Sequence, residues 1–201
     1  MNILIVGSGA REHAIARALH NSPKQKTLYC LASNNNPGLQ NLCFDIQVAD
    51  INNNETILKY ARENNIYLAI VGPENPLANG VSDVLAKSGI RVVGPSREHS
   101  KIESSKSFAR DLLLEYKIPA CPKYSVFDSI KGVQEFLNDL GSDFVVKYDG
   151  LAGGKGVKVS GDHLHSHKEA LGYCDQLIQK GGKFVIEEKL IGQEFSLMSF
   201  C

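Results

Sequence analysis

Four short apolar runs narrow the folds open to this chain. They are "NILIV" (Asn2–Val6), "TLYCLA" (Thr27–Ala32), "LAIVG" (Leu68–Gly72) and "IRVVG" (Ile90–Gly94), and each reads as one buried strand. The segments between them carry helical spacing. Ala14, Ile15, Ala18 and Leu19 share one face after the first run. Asn52 is placed to cap a helix that turns Ile57, Leu58 and Ala61 inward. Pro76 suits the first turn of a helix bearing Leu77, Val81, Val84 and Leu85. Strands alternating with helices imply a parallel sheet covered on both faces. This first α/β unit is expected over residues 1–102.

A change of pattern follows. Ser104 or Ser105 caps a helix expected to turn Phe108, Leu112 and Tyr116 inward, and Pro119 and Pro122 then force extended chain. Residues 103–121 are therefore helix and linker. "YSVF" (Tyr124–Phe127), "DFVVK" (Asp143–Lys147), "GVKVS" (Gly156–Ser160) and "KFVIEE" (Lys183–Glu188) are expected strands. Asp128 or Ser129 should cap a helix bearing Val133, Phe136, Leu137 and Leu140. Ser166 and Glu169 have capping-box spacing before Leu171, Cys174, Leu177 and Ile178. This α+β unit is expected over residues 122–190. "FSLMSFC" (Phe195–Cys201) has the pattern of a strand still running, so residues 191–201 read as the start of a further part and the natural chain is expected to continue.

Bulk properties exclude several classes. Lys+Arg and Asp+Glu balance at 22 each, which gives no electrostatic argument for a nucleic-acid partner. No apolar run approaches the roughly 20 residues that span a bilayer. The start "MNILIVGSGA" has no basic segment and meets glycine early, unlike a signal peptide. The five cysteines (Cys30, Cys43, Cys121, Cys174 and Cys201) form no CxxC or zinc spacing, which fits a reducing cytoplasm.

Chemistry concentrates in "VVKYDGLAGGKGVKV" (Val145–Val159), where glycine sits beside lysine. A P-loop requires GxxxxGK[ST] opening a helix. Here Asp149 stands where the first glycine belongs, Gly156 follows Lys155, and strands flank the loop. The better description is a glycine-rich hairpin flap whose backbone N–H groups close over phosphates, with Lys147 and Lys155 as point charges. A plain surface hairpin stays open beside it. "GSGARE" offers Gly7 and Gly9, but Glu12 holds the third Rossmann position, and no acid lies between Leu31 and Gly38 to hold a ribose. A smaller phosphate at that helix N-terminus, helped by Arg11, fits better than a dinucleotide, and simple turn glycines remain the alternative.

Taken together, "GSGAREHA" (7–14), "VGPENPLANGVSD" (71–83), "GPS" (94–96), "SKSFARD" (105–111), "KYDGLAGGKGV" (147–157) and "VIEEKLIGQEFS" (185–196) resemble the phosphoribosylamine–glycine ligase family, also called glycinamide ribonucleotide synthetases. The last two motifs alone would indicate only the wider ATP-grasp superfamily. The resemblance implies a Rossmann-like, pre-ATP-grasp α/β domain, then an ATP-grasp lid, with the carboxy-terminal part of the ATP-grasp core missing. It implies ATP-dependent joining of glycine to 5-phosphoribosylamine through a glycyl phosphate in purine synthesis, by a cytoplasmic monomer or weak dimer using Mg2+ or Mn2+. By matched position, Lys106 and Lys147 contact phosphates, and Gly153, Gly154, Lys155 and Gly156 form the flap. Glu187, Glu188 and Leu190 form the adenine hinge, and Glu194 meets the ribose. Gly9, Arg11, Glu12, His13, Gly72, Pro73, Glu74 and Gly80 wall the phosphoribosylamine pocket. The metal ligands and the glycine-binding residues are expected beyond residue 201. Other readings are a different ATP-grasp ligase, or a truncated module that binds a phosphoribosyl group or nucleotide without chemistry. "HLHSH" places His163, His165 and His167 at alternate positions, but a turn precedes them and a helix start interrupts them, against a metal site. Cys121 has no partner histidine nearby in sequence and reads as an ordinary thiol.

Overall fold

The computed structural model describes residues 1–195 and residue 197. The strand expected over Phe195–Cys201 falls mostly outside them. The chain divides into two compact units, Met1–Ser104 and Ser105–Cys201.

The first unit is built on five parallel strands: β1 (Asn2–Val6), β2 (Thr27–Ala32), β3 (Asp45–Val48), β4 (Leu68–Val71) and β5 (Arg91–Val93), in the order β3-β2-β1-β4-β5. Its helices are α1 (Ala10–Asn21), α2 (Pro37–Gln40), α3 (Asn54–Glu63), α4 (Glu74–Ala78), α5 (Val81–Lys87) and α6 (Lys101–Ser104). Alternation along the strands feeds two cores. Leu4, Val6, Leu31 and Ala69 pack with Ile57, Tyr60 and Ala61 of α3 and with Val81 and Leu85 of α5. Ile5, Cys30 and Ala32 pack on the other face with Ala16 of α1 and Leu39 of α2. Each fully buried leucine or isoleucine contributes about 1.5–3 kcal/mol, so these two layers fix the sheet.

Four details differ from the sequence expectation. β3 was not expected. Asp45 and Val48 are exposed in this edge strand, so its sequence lacks the apolar signature of a covered one. Helix α1 turns Glu12, Ile15, Ala16 and Leu19 toward the body and leaves Ala14 and Ala18 exposed, because burial of Glu12 in the preceding turn sets its rotation. Asn53, not Asn52, caps α3, accepting from the N–H groups of Glu55 and Thr56. The helix expected after Pro76 is two helices, broken where Gly80 adopts φ 85°, a left-handed conformation that favours glycine.

The second unit carries four antiparallel strands, β6 (Tyr124–Phe127), β7 (Phe144–Tyr148), β8 (Val157–Val159) and β9 (Phe184–Glu188), ordered β6-β9-β7-β8. Its helices are α7 (Lys106–Glu115), α8 (Val133–Leu140) and α9 (His167–Gln179). Phe144, Val146, Phe184 and Ile186 face Val133 and Leu137 of α8 and Ala170, Cys174 and Leu177 of α9. Phe127 stacks on Phe184 at 5.6 Å. Strand alternation then sends Val145, Lys147, Val185 and Glu187 to the opposite face.

Here too local signals shifted. Gly132, left-handed at φ 81°, precedes α8 in place of Asp128 or Ser129. Ser105 caps α7, but Tyr116 at its end is 67% exposed. Ser166 accepts the Glu169 N–H as expected, while the Glu169 carboxylate accepts from His165, one residue before the cap.

Candidate functional site

Each unit gathers a set of functional groups at one end of its sheet or on one sheet face. In the first unit they gather at the carboxyl ends of β1 and β4, where open α/β sheets bind ligands. Gly9 is the N-cap of α1, and its N–H donates to Glu12 Oε2 at 2.6 Å. Glu12 is only 4% exposed. A Cβ placed on Gly72 would fall 2.6 Å from Glu12 Cδ and closer still to Oε1, and one on Gly7 would fall 2.8 Å from Glu12 Cγ. Glu12 thus lies along two bare backbones, and those glycines make room for it.

Arg11 spans the two strand ends. Its Nη1 donates to the Gly72 carbonyl at 2.7 Å and its Nη2 to Glu74 Oε1 at 2.9 Å. Glu74 begins α4, directly after Pro73 at the N-cap. Its own backbone N–H, then the Arg11 guanidinium, hold its carboxyl below the usual range, and Glu74 in turn raises Arg11. The Arg11 side chain is 62% exposed, so this cation faces solvent and can exchange its carboxylate for an anionic ligand. Gly9, Arg11, Glu12, Gly72, Pro73 and Glu74 therefore come together.

Two other expected members contact different neighbours. The His13 ring packs on Gly38, where an added Cβ would sit 2.6 Å from Nε2. Gly80 lies at the α4–α5 junction beside Arg97 and Asp83. Sequence reasoning passed over a polar group at the end of β2. Ser8 Oγ meets Ser33 Oγ at 2.9 Å and accepts the Asn34 N–H at 3.2 Å, and Asn36 Nδ2 donates to the Ser8 carbonyl at 2.9 Å. The run "SNNN" (Ser33–Asn36) carries that signal in a hydroxyl and side-chain amides rather than in an acid.

In the second unit the flap is the turn between β7 and β8. Tyr148 N–H donates to the Gly156 carbonyl at 2.7 Å and closes its base. Gly153 and Gly154 have φ of 54° and 79° with open space where a Cβ would stand, and Lys155 N–H donates to Ala152 O at 3.0 Å. The tip is therefore accessible backbone. Asp149 roots it. Its Oδ1 accepts the N–H groups of Lys106 at 2.6 Å and Ser107 at 3.1 Å and the Ser105 hydroxyl at 3.2 Å, and its Oδ2 accepts the Ser107 hydroxyl. A carboxylate here complements the N-terminus of α7. Lys106 Nζ donates to the Gly150 carbonyl at 2.9 Å, so Lys106 is seated at the flap root.

Lys147 projects from β7 onto the second face of the sheet and ion-pairs with Glu187 of β9. Arg110 of α7 reaches the same carboxylate, with Nε at 2.8 Å from Oε2 and Nη2 at 3.3 Å from Oε1. Burial pushes Glu187 up, but the hydrogen bonds and charges of Arg110 and Lys147 outweigh it and hold the carboxyl below its usual range. Arg110 is raised in turn, chiefly by its hydrogen bond to Glu187. Glu188 Oε1 accepts the Lys123 N–H at 2.8 Å at the sheet edge. Leu190 is 70% exposed, and Glu194 is exposed. Asp149 and Arg110 were not singled out from sequence; both sit inside motifs read for their lysines and glycines.

The three histidines take separate roles. His163 Nδ1 accepts the Val159 N–H, His165 donates its N–H to Glu169, and His167 Nε2 donates to the Gly141 carbonyl at 2.7 Å. Among the described residues no group of three or more His, Cys, Asp or Glu is placed to hold a metal ion. Cys121 Sγ contacts the carbonyls of Arg110 and Pro122.

Known proteins bear on this arrangement. The model of the phosphoribosylglycinamide synthetase N domain matches residues 1–103, and that of the phosphoribosylglycinamide synthetase ATP-grasp (A) domain matches residues 104–201. The phosphoribosylamine–glycine ligase of Methanosarcina barkeri is 46% identical over 200 residues, covering 100% of this chain and 46% of that protein. That of Pyrococcus horikoshii is 40% identical, covering 100% of this chain and 45% of its own length. The crystal structure of phosphoribosylamine–glycine ligase from Thermotoga maritima superposes with a TM-score of 0.74 at 25% identity, over 96% of this chain and 45% of that one. An ADP complex of N5-carboxyaminoimidazole ribonucleotide synthetase shares the fold, with a TM-score of 0.69 at 17% identity over 94% of this chain and 47% of that one. The chain spans about half the length of these relatives.

Proposed function

The chain belongs to the phosphoribosylglycinamide synthetase family, and on that premise we propose that it carries the sugar-amine and nucleotide halves of an ATP-dependent carbon–nitrogen ligase. The reaction is the joining of glycine to 5-phosphoribosylamine, giving glycinamide ribonucleotide, ADP and phosphate. ATP supplies the phosphoryl group that turns the poor leaving group of a carboxylate into a good one. The protein's task is to bind, orient and neutralise charge.

One observation carries the nucleotide assignment. An open glycine flap is rooted beside Lys106, and Lys147 of the strand that enters the flap lies on one sheet face with Glu187. Backbone N–H groups of Gly153, Gly154 and Gly156 close over the phosphates and exclude water, and the Lys155 side chain adds its charge. Lys106 and Lys147 take phosphate charge. Glu187, Glu188 and Leu190 bound the adenine side, and Glu194 holds the ribose hydroxyls. The donors present suit a polyphosphate. The Mg2+ or Mn2+ ligands are proposed to lie beyond residue 201. In the first unit Arg11, aligned by Gly72 and Glu74, takes the sugar phosphate, beside the turn of Gly9 and the Pro73 N-cap. No helix among the described residues is long and apolar enough to cross a membrane, and a reducing cytoplasm is the proposed compartment.

Hydrogen exchange tests the assignment residue by residue. Mg-ATP is expected to protect the amides of Gly153–Gly156 selectively, and ribose 5-phosphate those around Gly9 and Gly72. Uniform protection, or protection of neither segment at millimolar ligand, would remove these roles.

A further inference from the structure

Within the second unit, one carboxylate serves two cations. Glu187 is 5% exposed at its side chain, Lys147 is 21% exposed, and Arg110 is 22% exposed. A single anion is thus held by two cations. The two contacts are unequal. Arg110 approaches both carboxylate oxygens along its guanidinium fork, whereas Lys147 brings a single ammonium to the Oε1 side. Lys147 is a point charge on a flexible stem that swings easily, and Arg110 is the fixed partner.

The physical difficulty is what Lys147 leaves behind when it turns to a phosphate. A buried carboxylate stripped of its only partner is strongly unfavourable. Arg110 removes that obstacle, because Glu187 keeps both hydrogen bonds after Lys147 departs. We infer that Arg110 is a positioning residue for nucleotide binding: it holds Glu187 so that Lys147 is free to transfer to the phosphates. Arg110 itself need touch no ligand. This rests on the proposed nucleotide site.

The test compares Mg-ATP with adenosine, by calorimetry on the full chain and its variants. Arg110→Met is expected to weaken Mg-ATP about tenfold and adenosine clearly less, since both lie against Glu187 but only the phosphates draw Lys147 away from it. In a Lys147→Met background the same substitution should have no further effect on Mg-ATP. Arg110→Lys, which keeps the charge, should restore most of the lost affinity, and Arg110→Gln replaces Arg110→Met if the latter does not fold. Equal loss for Mg-ATP and adenosine overturns the inference and makes Arg110 a packing residue. So does an undiminished effect of Arg110→Met in the Lys147→Met background. Failure of the unsubstituted chain to bind either ligand overturns the nucleotide site itself, and the positioning role with it.

Discussion

Gly72→Ala isolates the geometry at the head of the first sheet. Gly72 is not among the glycines with positive φ, so the backbone admits alanine and only space forbids it. The new methyl would stand 2.6 Å from Glu12 Cδ and 2.8 Å from Cγ, so more than the tip of the side chain must move. Moving it breaks the 2.6 Å bond from Gly9 N–H and leaves a carboxylate that is now 4% exposed without its donor. Loss of a charge-assisted hydrogen bond costs about 1.5–3 kcal/mol, and overpacking costs about 1–3 kcal/mol. A destabilisation of about 3 kcal/mol follows, with partial relaxation of Glu12 included. Urea unfolding followed by circular dichroism measures it as a shift in midpoint at constant slope. The decisive arm is the double variant. Glu12→Ala removes the obstacle, so Gly72→Ala in that background should cost less than about 0.5 kcal/mol more. An undiminished penalty there, or a near-neutral single substitution, would refute the account of why these glycines stand opposite Glu12.

Two further outcomes are expected. Asp149→Ala deprives the N-terminus of α7 of a carboxylate that accepts from Ser105, Lys106 and Ser107, and should cost about 1–3 kcal/mol, read by thermal unfolding, with faster exchange at the Lys106 and Ser107 amides; unchanged exchange there would contradict it. The Glu187 carboxyl is depressed in the folded state, so its stabilisation is complete above the ordinary value of 4.5 and is lost as pH falls through the lower folded value. Urea midpoints measured from pH 7 downward should therefore fall less steeply below about pH 4.5 in Glu187→Gln than in the parent, and identical slopes would discount the cluster.

Where burial followed from apolar spacing, the sequence was transparent. The runs that became β1, β2, β4 and β9 are continuous because both faces are covered, and Phe184 and Ile186 announce a core directly. β3 escaped because an edge strand leaves Asp45 and Val48 in solvent and so lacks that pattern. Helix α1 was rotated in the reading because a buried Glu12 is not an apolar position; only the three-dimensional meeting of Gly7, Gly9 and Gly72 makes room for it. At the proposed nucleotide site, Lys106, Lys147 and the flap glycines were marked by motif. Arg110 and Asp149 were not, because their importance lies in partners 77 and 42–44 residues away. His13 is grouped with Arg11 by the matched family motif, while its ring packs on Gly38.

The central claim is that these 201 residues hold the nucleotide and the sugar amine of a glycine-activating ligase. The most direct measurement is ADP release from Mg-ATP by a protein of the relatives' full length that begins with this sequence, with glycine and phosphoribosylamine omitted in turn. The account predicts ADP release that requires both. Release that persists without glycine, or that another carboxylate supports equally well, would contradict it.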